Sequence, residues 1–451
     1  MTTTSSCSPP SSPSEPGAPL PTTALLLSLS LAGCDFFPET PGAADDTAVG
    51  ATGDCVAAVT VPIGTTGDDD DTVPADPHAL VFGSETPDPY AVRLGWPSRD
   101  PSTSVSMLWR TDVDTLASVV EIGPADTFPE GATAVEGYTF LFGGGEVGEG
   151  AYRVHEVRLC GAVQPGTTYS YRVGGEGHWS PTYTFSTPGA PGSFDTFRVA
   201  IAGDSRGDYA TWAAAIAAME SHAPDLYLFS GDMVELGANQ SEWEDWFAAT
   251  GDLLARKPFL AAHGNHEFLA QHYFAQFGFP GNEEWYAVEW GDLLVLSLND
   301  TVRSDDDIDS VQKAFIEQEL AATSRPWRVA MHHQPAYSAC TAHDSNLEVR
   351  EAWSGAFEEG GVQVVTAGHN HIYERSVPIR AGEQVAEGDG TVYLVSGGAG
   401  ADLYENTDDA WWNAVANPVE HYVIADFGPS QADFVVRDLD GNVIDQFSVP
   451  R

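Results

Sequence analysis

Lysine is almost missing: Lys257 and Lys313 are the only two among 451 residues. Lysine and arginine together number 19 against 66 Asp and Glu, a formal net charge of −47. A surface this negative repels phosphate backbones and anionic headgroups, which excludes non-specific nucleic-acid binding and polybasic membrane attachment. No run of about 18 apolar residues or more exists, so no resident transmembrane helix is expected. The five cysteines include no Cys-x-x-Cys pair, and a zinc ribbon therefore has no support. An internal repeat of about 20–50 residues is also absent.

What is present describes a folded chain. Its length suits about two or three domains, and 42% hydrophobic residues with 12 Trp, 15 Tyr and 21 Phe argue against disorder throughout. The 45 Gly and 30 Pro point to many turns, as in β-rich or α/β folds.

Residues 24–32 (ALLLSLSLA) are too few to cross a bilayer as a resident helix but suit the apolar core of a leader peptide. They run into Leu31-Ala32-Gly33-Cys34, which resembles a bacterial lipobox. That resemblance implies a leader over 1–33, lipid on the Cys34 thiol, and an extracytoplasmic protein touching the membrane only through its anchor. No Lys or Arg precedes residue 24, so the positive opening of such leaders is lacking. Residues 34–78 are rich in Thr, Gly, Ala, Pro and Asp, with the run Asp68-Asp69-Asp70-Asp71, and are expected to form a disordered acidic linker. For Cys55, Cys160 and Cys340 two readings stay open: a Cys55–Cys160 bridge in an oxidising compartment, or three free thiols.

Residues 79–187 alternate apolar and polar side chains in short runs such as 105–110, 152–157 and 168–173. Period two at regular spacing predicts an antiparallel β-sandwich. The stretch 164–173 (QPGTTYSYRV), a Pro-Gly turn feeding a tyrosine-bearing strand, resembles the end of a fibronectin type III domain. No cluster of catalytic groups lies here, so the role expected is support. Beyond the linker 188–193 the rhythm becomes strand, loop, helix: a buried strand over 197–202, an alanine-rich helix over 211–222, and a strand over 225–230. This predicts an α/β domain over 188–451 with its ligand site at the carboxyl ends of the strands. Asp440-Gly441 between apolar runs predicts a hairpin near the C-terminus.

Five segments after these strands end in metal-binding groups: Gly203-Asp204-Ser205-Arg206, Gly231-Asp232-Met233-Val234-Glu235, Gly264-Asn265-His266-Glu267, His332-His333-Gln334-Pro335 and Gly368-His369-Asn370-His371. Carboxylate, amide oxygen and imidazole together suit Zn, Mn or Fe without a thiolate. The glycines let the backbone turn and approach closely. Two ions about 3.5–4 Å apart, bridged by a carboxylate, hold a hydroxide that attacks phosphorus in line.

With these segments in view, residues 197–447 resemble the calcineurin-like metallophosphoesterases, particularly the purple acid phosphatase branch, most specifically through residues 367–376 (AGHNHIYERS). The resemblance implies a four-layer α/β/β/α catalytic domain behind the fibronectin-like sandwich, two metal ions, and hydrolysis of phosphomonoesters through a bridging hydroxide. A phosphodiesterase or nucleotidase on the same fold, and a non-catalytic surface protein, are the alternatives. It further implies that Asp232 bridges the ions, that Asp204 and His371 complete one site, and that Asn265, His369 and His333 complete the other. His332 is then packed behind. His266 is expected to meet the phosphate or protonate the leaving oxygen, and His343 falls where such enzymes place a substrate-facing histidine. Glu374 and Arg375 are expected to brace the loop.

Two positions depart from the pattern. Glu235 stands where purple enzymes carry the tyrosine whose phenolate colours the iron, so a colourless protein is expected. Arg206 stands where other metallophosphoesterases carry a histidine ligand. Either Glu235 donates an oxygen and Arg206 clamps phosphate, or Arg206 weakens the first metal site. The aromatics of 270–286 are expected to pack rather than stack on a base.

Overall fold

The computed structural model describes Cys55 and residues 86–143, 151–193, 196–301, 304–405 and 407–451. The lipobox with Cys34, the aspartate run and nearly all of 34–78 lie outside the described residues. Cys55 and Cys160 are joined as a disulfide, while Cys340 is a buried free thiol.

Alternation does produce a sandwich. Strands Tyr90–Gly95, Val105–Thr111, Ala151–Leu159 and Tyr138–Gly143 form one sheet in that order. Strands Thr133–Glu136, Val119–Pro124, Thr168–Gly175 and His178–Trp179 form the other, with Tyr183–Ser186 also paired to Thr168–Gly175. Val105, Met107 and Trp109 project into the core from one sheet and Tyr169, Tyr171 and Val173 from the other, as period two requires. The Tyr169 hydroxyl accepts from the Gln164 N–H at 2.9 Å, tying the Pro-Gly turn to the strand that follows it.

The connection over 188–193 does not separate two cores. The Trp96 N–H donates to the Gly278 carbonyl at 2.7 Å, and its indole meets Trp290 edge-on at 5.3 Å. Arg110, wholly buried, pairs with Glu244 at 2.7 Å, donates to the Gln276 side chain and lies 4.4 Å from the Tyr152 ring. The Tyr171 hydroxyl donates to Ala255 O at 2.7 Å. The sandwich buttresses the α/β layers through a shared core.

Those layers are two sheets between helices. The first runs Phe259–Ala261, Leu226–Phe229, Phe197–Ala202, His421–Phe427, Gln431–Asp438, Val443–Pro450. The last two strands form the hairpin closed at Gly441. The second sheet has seven strands, with Leu293–Ser297, Trp327–Met331, Val364–Ala367 and Val392–Ser396 parallel at its centre. Leu293 and Val295 face the core shared with the first sheet, whereas Leu294 and Leu296 face helices Lys313–Ala322 and Leu347–Glu359. Helices Tyr209–Glu220 and Gln240–Thr250 bury Trp212, Trp243 and Trp246 against the first sheet, completing an α/β/β/α stack. Helix Tyr209–Glu220 starts two residues before the alanine-rich run because the Asp208 carboxylate accepts from the Ala210 and Thr211 N–H groups at 3.0 and 3.1 Å. Each of the five metal-binding segments follows the carboxyl end of a parallel strand, so the topology delivers them to one edge of the stack.

Candidate metal centre and active site

Asp204, Asp232 and His333 are all buried, and one donor atom from each lies within 4.8 Å of the others. Asp204 and Asp232 adopt φ of +60° and +58°, and His369 adopts +65°. Non-glycine residues rarely hold this conformation; three at one edge mark strain tolerated to aim side chains inward. The adjacent glycines serve mainly to make room: a Cβ on Gly264 would strike Asp232, and one on Gly368 the Asp204 carboxylate.

His333 Nδ1 donates to the Ser230 carbonyl at 2.7 Å, so Nε2 turns toward Asp232 Oδ1 at 3.3 Å and Asn265 Oδ1 at 3.0 Å. His332 points the other way, bonding Asp300 at 3.0 Å with its ring edge-on to Trp353. The His369 N–H bonds both Asp204 oxygens at 2.9 and 3.1 Å, and its ring lies 5.2 Å from that of His333. His371 Nδ1 donates to the Asp402 carbonyl at 2.7 Å, leaving Nε2 3.7 Å from Asp204 Oδ1. Burial lowers His369 to about 2 and His371 to about 4, so both imidazoles are neutral, as ligation demands.

These donors fit a hard or borderline cation. Asp232 Oδ2 is buried and accepts no hydrogen bond; the cation beside it, Arg206 Nε at 3.3 Å, makes an ion-pair contact only. Burial disfavours a charged His333, yet the Asp232 and Asp204 carboxylates overcome it and pull the imidazole up to about 10. Burial, together with the neighbouring Asp232 carboxylate, pushes Asp204 well above the usual range. Two carboxylates crowded into one buried pocket, one of them with an oxygen that accepts no hydrogen bond, form a negative charge that a divalent ion neutralises.

Around the donors stand the expected substrate groups. His266 Nδ1 donates to the Glu235 carbonyl at 2.7 Å, which turns Nε2 toward Asp232 Oδ2 at 4.0 Å. His343 is exposed, with its ring 4.2 Å from that of His369 and its Nε2 3.4 Å from the Tyr404 hydroxyl. Arg206 Nε lies 3.3 Å from Asp232 Oδ2 and Nη2 lies 3.4 Å from His371 Nε2, while Nη1 pairs with Glu235. The structure does not bring Glu235 to the donors: half-exposed, its carboxylate is held by the guanidinium, the nearer opposite charge. Glu374 accepts from the Ala339 N–H at 3.1 Å and Arg375 pairs with Asp445 at 2.6 Å, so both brace the surroundings. Tyr273, Phe277 and Phe279 pack in the core, as expected of the 270–286 aromatics.

Sequence reasoning gave no role to Glu267, although it stands in a quoted motif. Its buried carboxylate accepts from the N–H groups of Asp232, Met233 and Gly264 at 2.9, 2.7 and 2.7 Å, clamping two metal-binding loops together. Burial and the nearby Asp232 raise it to about 7. Tyr404, stacked on His371 at 4.2 Å, was also missed, since nothing local in its sequence marks it.

Residues 197–373 match the calcineurin-like phosphoesterase family, and residues 89–187 match the N-terminal domain of purple acid phosphatases. Purple acid phosphatase 22 of Arabidopsis thaliana is 28% identical over 323 residues, 66% of this chain and 70% of its own. A nucleotide pyrophosphatase/phosphodiesterase of Hordeum vulgare is 24% identical, covering 60% of this chain and 88% of its own. A purple acid phosphatase from seeds of yellow lupin (Lupinus luteus) shares the fold at a TM-score of 0.72 and 21% identity, over 81% of this chain and 74% of that one. The chain thus carries a calcineurin-like phosphoesterase domain behind a purple acid phosphatase N-terminal domain, and its relatives support a phosphoric ester hydrolase.

Proposed function

We propose that this hydrolase is an extracytoplasmic phosphatase that removes phosphate from monoesters with the help of two metal ions. The observation that carries the reading is the convergence of Asp204, Asp232, Asn265, His333, His369 and His371 from five loops on one buried, negatively charged pocket. Asp204, Asp232 and His371 would hold one ion, and Asp232, Asn265, His333 and His369 the other. Such ions supply Lewis-acid polarisation of the phosphoryl group and an activated water.

The chain's own groups do the rest. With Nδ1 held by the Glu235 carbonyl, a protonated His266 presents an Nε2–H for transfer to the leaving oxygen, and Asp232 steadies its charge. His343, exposed beside His369, is placed to bond a phosphoryl oxygen. The test is release of phosphate from an aryl phosphate with Zn, Mn or Fe supplied. Activity that persists in both Asp232→Ala and Asn265→Ala, or never appears with any metal, rules the reading out.

The barley relative makes a diester or pyrophosphate the runner-up substrate. Comparing monoester and diester turnover on one preparation separates the two. The lipobox at Cys34 supports an extracytoplasmic location, and the Cys55–Cys160 disulfide agrees with an oxidising compartment. Cys34→Ala should release the protein from the membrane fraction. Because Glu235 replaces the chromophoric tyrosine, the iron-loaded protein should show no phenolate band in the visible spectrum.

A further inference from the structure

The two sides of the pocket differ in one resident cation. On the side of Asn265, His333 Nε2 lies 3.3 Å from Asp232 Oδ1 and 3.0 Å from Asn265 Oδ1, and among the described residues no arginine or lysine is paired to these atoms. On the side of His371, the corresponding atoms face Arg206: Asp232 Oδ2 at 3.3 Å from Nε, and His371 Nε2 at 3.4 Å from Nη2. Its backbone N–H also donates to the Asp232 carbonyl at 3.2 Å, so the side chain starts from a fixed point. A guanidinium is never deprotonated in proteins, so its charge cannot be relieved by pH.

We infer that Arg206 is a built-in competitor for one metal ion, so that the two positions load with unequal affinity. The ion on the Asn265 and His333 side is held tightly. The ion on the Asp204 and His371 side binds weakly, and only when the guanidinium swings away from Asp232 and His371. Glu235 gives it somewhere to go, because its half-exposed carboxylate already pairs with Nη1 at the pocket's outer rim. This inference rests on the metal-dependent reading above and specifies how its centre fills.

The experiment is equilibrium titration of the metal-stripped, full-length protein with Zn, followed by elemental analysis after dialysis against metal-free buffer. The wild type should retain one ion per chain and bind a second at least about 100-fold more weakly. Arg206→Ala and Arg206→Gln should tighten only the weak class, by about 10- to 100-fold, the worth of the charge-assisted contacts removed. Adding His371→Ala to Arg206→Ala should abolish that gain. Melting curves establish that each variant is folded. Two ions held equally by the wild type, or a weak class that neither Arg206 variant moves, would overturn the inference while leaving the metal-dependent reading intact. Failure of every protein to bind any ion would overturn both.

Discussion

The Asn265 side and the His371 side of one pocket show two ways of handling the same charge. On the first, a buried imidazole is oriented by the Ser230 carbonyl, and the loops of Asp232 and Asn265 are locked by Glu267. On the second, an arginine leans on the donors and is itself tethered to a half-exposed carboxylate. Rigid outer partners raise affinity by fixing ligands in place, whereas a cation seated among the ligands competes with an ion for them. On the inference above, two positions that share the Asp232 carboxylate differ in strength.

The largest effect that tests this contrast is at the shared residue. Asp232→Ala should abolish both metal retention and phosphate release, because it removes a donor from each side at once. His266→Ala should lower kcat by about 10²- to 10⁴-fold while metal content stays unchanged; a matching loss of metal would make it a ligand instead.

The third test concerns a buried histidine of the first sheet, His421. It donates from Nδ1 to Val419 O at 2.7 Å and accepts from Ser396 through Nε2 at 3.1 Å. Burial lowers it to about 4 from an ordinary 6.5. Between those values the unfolded chain takes up a proton that the folded one refuses, so stability falls as pH drops from 6.5 to 4. The loss from this group is about 3 kcal/mol. Urea melts at pH 7 and pH 4.5 should show the slope, and His421→Gln should lessen it by this group's share, leaving the part due to the other buried histidines. The smallest effect belongs to the clamp. Glu267→Gln should weaken metal binding by about 10- to 100-fold, chiefly on the Asn265 side; equal weakening of both classes would mean that Glu267 holds the whole pocket together.

Read as a string of residues, the chain already announced its architecture. Period two in 105–110 and 168–173, the apolar run at 197–202 and the Asp440-Gly441 turn are local patterns, and local patterns survive translation into strands and hairpins. The candidate ligands were legible for the same reason, since each sits in a short motif directly after a strand. Adjacent residues of a strand point to opposite faces, and of the two histidines it is His333 that faces Asp232 while His332 turns to Asp300.

Other features depended on long-range packing. Glu267 hydrogen-bonds a loop 35 positions away, Tyr404 stacks on a histidine from another segment, and Glu235 spends its charge on Arg206 rather than on the donors. Linear spacing cannot decide which of two nearby opposite charges a carboxylate will meet. That outcome depends on where folded loops place the charges, and on how much water is left between them.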